Sequence, residues 1–151
     1  MMDVGTAMPA VEVMGQEGPI ALAALAGPVV IYFYPKDDTS GCTREAQDFS
    51  ALSDEFAAVG VRVIGLSRDP LASHAKFRTK YALTVELASD EGGAASDAFG
   101  VWGEKKLYGR TYMGSERATF LFDRDGRLAR AWRKVRVAGH AEAVLAAVRA
   151  L

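Results

Sequence analysis

Cys42 is the only cysteine in the chain. It stands in a short polar loop that follows an apolar run, at the point where a helical pattern begins. Helix N-termini present unpaired N–H groups and a partial positive charge, which favour a thiolate over a thiol. A thiolate is the nucleophile that peroxide chemistry requires. The plainer reading of a lone cysteine is a small buried hydrophobe, but its position favours reactivity. Dithiol exchange is excluded, because Cys-x-x-Cys would need a second cysteine where Glu45 stands.

Other reactive side chains fit less well. His74 and His140 raise the idea of a Cys–His pair. His74 falls on a polar helix face and His140 starts the last helix, so both are expected to face solvent. Asp37-Asp38 beside Lys36 reads as a solvated loop with no later partner. Asp123-x-Asp-Gly hints at a calcium loop, yet Leu128 and Lys134 occupy the places of the required Gly and Glu. It reads as a hairpin turn. No metal and no cofactor are expected. Trp102, Tyr108 and Tyr112 serve equally as pocket wall or as core.

The elements around Cys42 follow from hydrophobic period. Val29 to Tyr34 is β-branched and aromatic, bounded by Gly27-Pro28 and Pro35, and reads as a strand buried on both faces. From Thr43, the residues Phe49, Leu52, Phe56 and Val59 recur at helical spacing until Gly60. Val61 to Leu66 is a second buried strand, giving a βαβ unit. Asp69-Pro70 reads as N-cap and first helical residue of a helix to about Tyr81. Gly92-Gly93 marks a loop before a short helix ending near Phe99-Gly100. Arg117–Phe122 and Leu128–Val135 flank Asp123–Gly126 as a hairpin. Residues 138–151 close the chain as a helix packing Val144, Leu145 and Val148. A βαβ half followed by a ββα half predicts an α/β chain of thioredoxin-like fold, with a central mixed sheet flanked by helices.

Bulk properties narrow the partners. The 151 residues suit a single domain over 1–151, large enough to fold without disulfides. With 18 basic and 19 acidic residues the net charge is −1, which leaves no electrostatic footprint for nucleic acid or an anionic membrane. The apolar stretch from Ile20 to Tyr34 is shorter than the roughly 18 residues a spanning helix needs, and Gly27-Pro28 breaks it. No Lys or Arg precedes Lys36, so a signal-peptide n-region is missing. A lone thiol is easiest to keep reduced in the cytosol, and a cytoplasmic protein is expected.

The loop Tyr34-Pro-Lys-Asp-Asp-Thr-Ser-Gly-Cys-Thr-Arg-Glu45 resembles the active-site loop of peroxiredoxins: Pro, three residues, Thr or Ser, two residues, Cys. Pro35, Thr39 and Cys42 fill those places. The block from Val101 to Asp123 is similar to the second motif of one subfamily, the bacterioferritin comigratory protein or PrxQ group. Val4–Pro9 and Val63–Phe77 are similar too. The resemblance implies that Cys42 attacks the peroxide and becomes a sulfenic acid. Thr39 would hold thiolate and peroxide through its hydroxyl, and Arg117 would stabilise the thiolate and the leaving oxygen. Pro35 would shield the sulfur, the N–H groups of Gly41 and Cys42 would bind the peroxide, and Glu45 would orient Arg117. Trp102 joins Gly41 and Glu45 as a substrate-side candidate.

Two departures matter. Ser40 stands where the subfamily usually has Pro. Gln47 stands where many relatives carry a resolving cysteine, and no other cysteine replaces it. The family's internal disulfide cannot form, so an external thiol (thioredoxin, glutaredoxin or a low-molecular-weight thiol) must reduce the sulfenic acid. The expected substrates are hydrogen peroxide and small organic hydroperoxides, and the subfamily suggests a monomer or weak homodimer. The competing readings are a peroxide-sensing redox switch acting through Cys42 on a partner, and an inert structural domain. The second conflicts with the set Pro35, Thr39, Cys42 and Arg117.

Overall fold

The computed structural model describes residues 2–151. Its centre is β3 (Val29–Phe33), all five residues of which are buried. Alternation along this strand sends Val30 and Tyr32, with Tyr34 beyond it, to one hydrophobic cluster, and Val29, Ile31 and Phe33 to another. The predicted burial on both faces is therefore what the strand shows.

Around β3 the sheet has seven strands. β1 (Glu12–Gly15) and β2 (Gly18–Ala21) form an edge hairpin, followed inward by β5 (Glu86–Ser89) and β4 (Arg62–Ser67). Beyond β3 lie β8 (Ala118–Phe122) and β9 (Leu128–Trp132). β3 runs parallel to β4 and antiparallel to β8, so the sheet is mixed. Phe49 of α1 (Ser40–Ala51), Phe56 of α2 (Ser53–Ala58), Phe77 of α3 (Leu71–Tyr81) and Val144 of α5 (His140–Arg149) fill the Tyr32 face. Phe99, just after α4 (Ala94–Ala98), packs on the other face with Phe33 and Phe120. Among the described residues a separate hairpin, β6 (Trp102–Leu107) and β7 (Arg110–Ser115), pairs only with itself. Among the described residues no helix is long and apolar enough to cross a membrane.

The differences from the sequence reading have local causes. The single helix expected from Thr43 to Val59 starts earlier, at Ser40, and breaks at Leu52. Ser50 beside the break is tied sideways to the loop before β5. Its hydroxyl accepts the N–H groups of Thr84 and Val85, each at 3.1 Å, and its carbonyl takes the Thr84 hydroxyl. Gly60 does close this segment, at φ 72°, a left-handed value that glycine takes without strain. Asp69 is not the N-cap of α3; Pro70 holds that place. The Asp69 carboxylate is used elsewhere, accepting the Asp37 N–H and the Ser67 hydroxyl.

Candidate active site

Cys42 is the third residue of α1, on the first turn, where Gly41 and Cys42 have no carbonyl four residues back within the helix. It is buried, 2% exposed. The topology brings Arg117 to it. β3 and β8 are register partners with Phe33 opposite Ala118, so the residue before β8 lies beside the loop that leaves β3. Arg117 Nη2 donates to Cys42 Sγ at 3.4 Å, and Nη1 donates to Glu45 Oε1 at 2.7 Å. Cys42 and Glu45 are three apart on one helix face, which lets one guanidinium reach both. A Cβ on Gly41 would lie 3.0 Å from Arg117 Nη2, so glycine there keeps the approach open.

Glu45 is the unusual member. Its side chain is 1% exposed, Arg117 holds Oε1, and Oε2 is buried without a partner among the described residues. Burial pushes its carboxyl up to about 7, with Arg117 pulling the other way. The ordinary value is 4.5. Between those pH values the folded chain keeps a proton that the unfolded chain has lost. Stability from this group is therefore fully present below pH 4.5 and is lost as pH rises through about 7. Glu45→Gln is expected to flatten that slope, read as urea-unfolding free energy across this range for both proteins. An identical slope in the variant would assign the titration to another group.

Thr39 precedes α1 with extended backbone, and its hydroxyl donates to the Lys36 carbonyl at 2.8 Å. Its lone pairs remain free to accept. Pro35 is exposed at the start of the same loop. Trp102 is half-buried at the start of β6, with the Arg68 guanidinium 3.4 Å from its ring centre. No hydrogen bond joins it to the Cys42 cluster. Tyr108 is 95% exposed and Tyr112 is exposed too, so neither is core.

Three expectations are overturned. His74 is fully buried, because its face of α3 turns inward with Phe77 and its ring nitrogens find Asp37 and the Ala88 carbonyl. Asp37 is accordingly a buried partner and not a solvated loop residue; Asp38 is exposed but paired with Lys80 and Tyr81. His140 is buried as well. Its Nε2 lies 2.7 Å from Thr119 Oγ1, and burial, then Arg117, lower its pKa to about 4, so it is neutral at pH 7. Lys105 belongs to no motif that would single it out. It is half-buried on β6, where burial and Arg117 push its ammonium down while Cys42 and Glu116 push it up.

Residues 4–131 match the family model described as AhpC/TSA family. The chain belongs to that family. The peroxiredoxin is 51% identical over 122 residues to Peroxiredoxin Bcp of Xanthomonas campestris pv. campestris, covering 81% of this chain and 76% of the relative. It is 43% identical over 141 residues to Peroxiredoxin Bcp of Bacillus subtilis, covering 92% and 90%. A solved structure of the X. campestris bacterioferritin comigratory protein superposes with a TM-score of 0.89 at 44% identity, covering 98% of each chain. This is a Bcp, or PrxQ, peroxiredoxin of thioredoxin-like fold with a single cysteine, and such enzymes are thiol-dependent peroxidases.

Proposed function

We propose that this peroxidase works through Cys42 alone. The Cys42 thiolate attacks one peroxide oxygen, the O–O bond breaks, and the departing oxygen takes a proton to leave as water or an alcohol. Cys42 is left as a sulfenic acid. A first external thiol displaces water to give a mixed disulfide, and a second thiol releases Cys42 and carries away the disulfide. The observation that carries this reading is the Arg117 guanidinium bridging Cys42 Sγ and Glu45 at the start of α1. Arg117 stabilises the thiolate and the charge developing on the leaving oxygen. Glu45 orients Arg117. Thr39, its own proton committed to Lys36, accepts from the peroxide, while the Gly41 and Cys42 N–H groups donate to it. Pro35 shields the sulfur, and Trp102 lies on the substrate side. Substrates are hydrogen peroxide and small organic hydroperoxides; alkyl peroxide reduction by the X. campestris relative supports the second. The location we propose is cytoplasmic, and the chain is a monomer or weak homodimer.

Structures of two different Cys-to-Ser variants of X. campestris peroxiredoxin Q imply two cysteines in that protein, whereas this chain has one. Cys42 and Gln47 both lie on α1, the first buried and the second exposed. On a regular helix their Cα atoms are about 8–9 Å apart, and a disulfide accepts about 4.4–6.8 Å. Gln47→Cys is expected to form an internal disulfide after stoichiometric peroxide, which requires the first turn of α1 to open. Wild type is expected to give sulfenic, over-oxidised or mixed-disulfide Cys42. Intact-mass spectrometry of both proteins decides. An introduced thiol left unreacted beside a sulfenic acid would show that α1 does not open, and unmodified wild-type Cys42 would end the one-cysteine mechanism. Sustained turnover under excess peroxide with a panel of thiols separates the enzyme from the peroxide-sensing switch.

A further inference from the structure

The loop that carries Cys42 is anchored by a buried network that the chemistry above leaves unused. Asp37, five residues before the cysteine, turns inward. Its Oδ1 accepts the Tyr34 hydroxyl at 2.6 Å, and its Oδ2 accepts the Ser73 hydroxyl at 2.8 Å. The same Oδ2 lies 2.7 Å from His74 Nδ1. Its N–H donates to Asp69 Oδ2 at 2.9 Å. His74 is fully buried, and its other nitrogen, Nε2, lies 3.0 Å from the Ala88 carbonyl oxygen on β5.

Hydrogen-bond valence fixes the protons. A carbonyl oxygen only accepts, so Nε2 carries a hydrogen. Burial works against charge on Asp37, but the bonds from His74, Tyr34 and Ser73 prevail and hold its carboxyl below the usual range. Both ring nitrogens of His74 therefore face an acceptor, Nε2 the Ala88 carbonyl and Nδ1 the Asp37 carboxylate. A buried polar pair is weak evidence of stabilisation, since well-packed apolar residues often do as well; its value lies in fixing one geometry. The geometry fixed here is that of the loop. Next to Asp37, Asp38 holds a left-handed φ of 58° and pairs with Lys80 on the same helix, α3. One residue further, Thr39 is bonded back to Lys36. The path from the clasp to the first turn of α1 contains no unanchored residue until Ser40.

We infer that His74 is a positioning residue for the peroxidase reaction: through Asp37 it sets where α1 begins, and so aligns the Gly41 and Cys42 N–H groups and the reach from Cys42 Sγ to Arg117. This rests on the peroxidase reading of Cys42. The test compares wild type, His74→Gln and the double variant Asp37→Asn/His74→Gln. Two rates are read below the unfolding temperature: Cys42 oxidation by hydrogen peroxide in rapid quench, and Cys42 alkylation by iodoacetamide. Misplaced reacting groups cost up to about 100-fold. His74→Gln is expected to slow oxidation at least about tenfold while alkylation slows less, since alkylation does not use the peroxide-binding donors. The double variant is expected to be no slower than His74→Gln, because both changes break one pair.

A merely structural role would loosen the fold, expose Cys42 and speed alkylation without slowing oxidation. Folded His74→Gln oxidised within about twofold of wild type, well inside the span misplacement commands, overturns the inference alone. Wild type that does not react with peroxide overturns this inference together with the peroxidase reading. Should His74→Gln fail to fold, Ser73→Ala removes one donor from the same carboxylate near the surface of α3. It is expected to slow oxidation about two- to fivefold, a fraction of the full misplacement cost, and an unchanged rate would overturn the inference.

Discussion

Cys42→Ser is expected to reduce peroxide consumption to the background rate while leaving the fold intact. Serine replaces sulfur with oxygen at nearly the same volume, so packing at this 2% exposed position changes little. What it lacks is nucleophilicity: an alcohol is un-ionised at neutral pH, and no neighbouring base activates it. The histidine next to the loop, His74, has both ring nitrogens engaged, and His140 is bonded to Thr119. Peroxide loss measured with the same thiol reductant, alongside circular dichroism of the variant, is the check. Substantial residual turnover by folded Cys42→Ser would place the chemistry elsewhere in the molecule.

Arg117→Lys is expected to slow Cys42 oxidation by about 10- to 1000-fold, the range for losing a preorganised donor at a developing oxyanion. The substitution keeps the charge and loses the fork. Arg117 uses two different nitrogens, Nη1 to Glu45 and Nη2 to Cys42, from one rigid plane. A single ammonium has to choose. The contact to Cys42 Sγ, at 3.4 Å against 2.7 Å to Glu45, is the one expected to be lost. Single-turnover oxidation followed by mass spectrometry reads the effect directly. Oxidation at the wild-type rate would remove Arg117 from the reacting centre and leave it as the counter-ion of Glu45.

The parts of this site that were legible in the sequence are those written in local pattern. The apolar run at 29–34 announces a strand buried on both faces, and the polar loop after it announces the place of the cysteine. Asp123–Gly126 announces the hairpin that joins β8 to β9. Sequence pattern places the start of α1 three residues late, because Thr39, Ser40 and Gly41 have the composition of a loop even though the latter two are helical. His74 was unreadable for a different reason. A polar side chain is buried only when its partners arrive, and Asp37 arrives from another loop 37 residues earlier. Nothing in the flanking Ser73 and Lys76 signals that meeting. β6 and β7 escaped because Glu104, Lys105 and Lys106 interrupt any apolar alternation, and a hairpin paired only with itself needs none.

On the one-cysteine reading proposed above, the burial of Cys42 is expected to work as a kinetic sieve. Hydrogen peroxide is two heavy atoms and needs only a small opening to reach the sulfur, so oxidation is expected from the closed helix. A reducing thiol brings a backbone or a second protein with it and must approach sulfur in line with the new S–O bond. It is expected to reach Cys42 only when the first turn of α1 is unwound, a local opening with its own free energy. The two halves of the cycle are therefore limited by different things. The first is a bimolecular encounter whose speed follows peroxide concentration. The second saturates at the opening rate of one helical turn, whichever thiol is waiting outside.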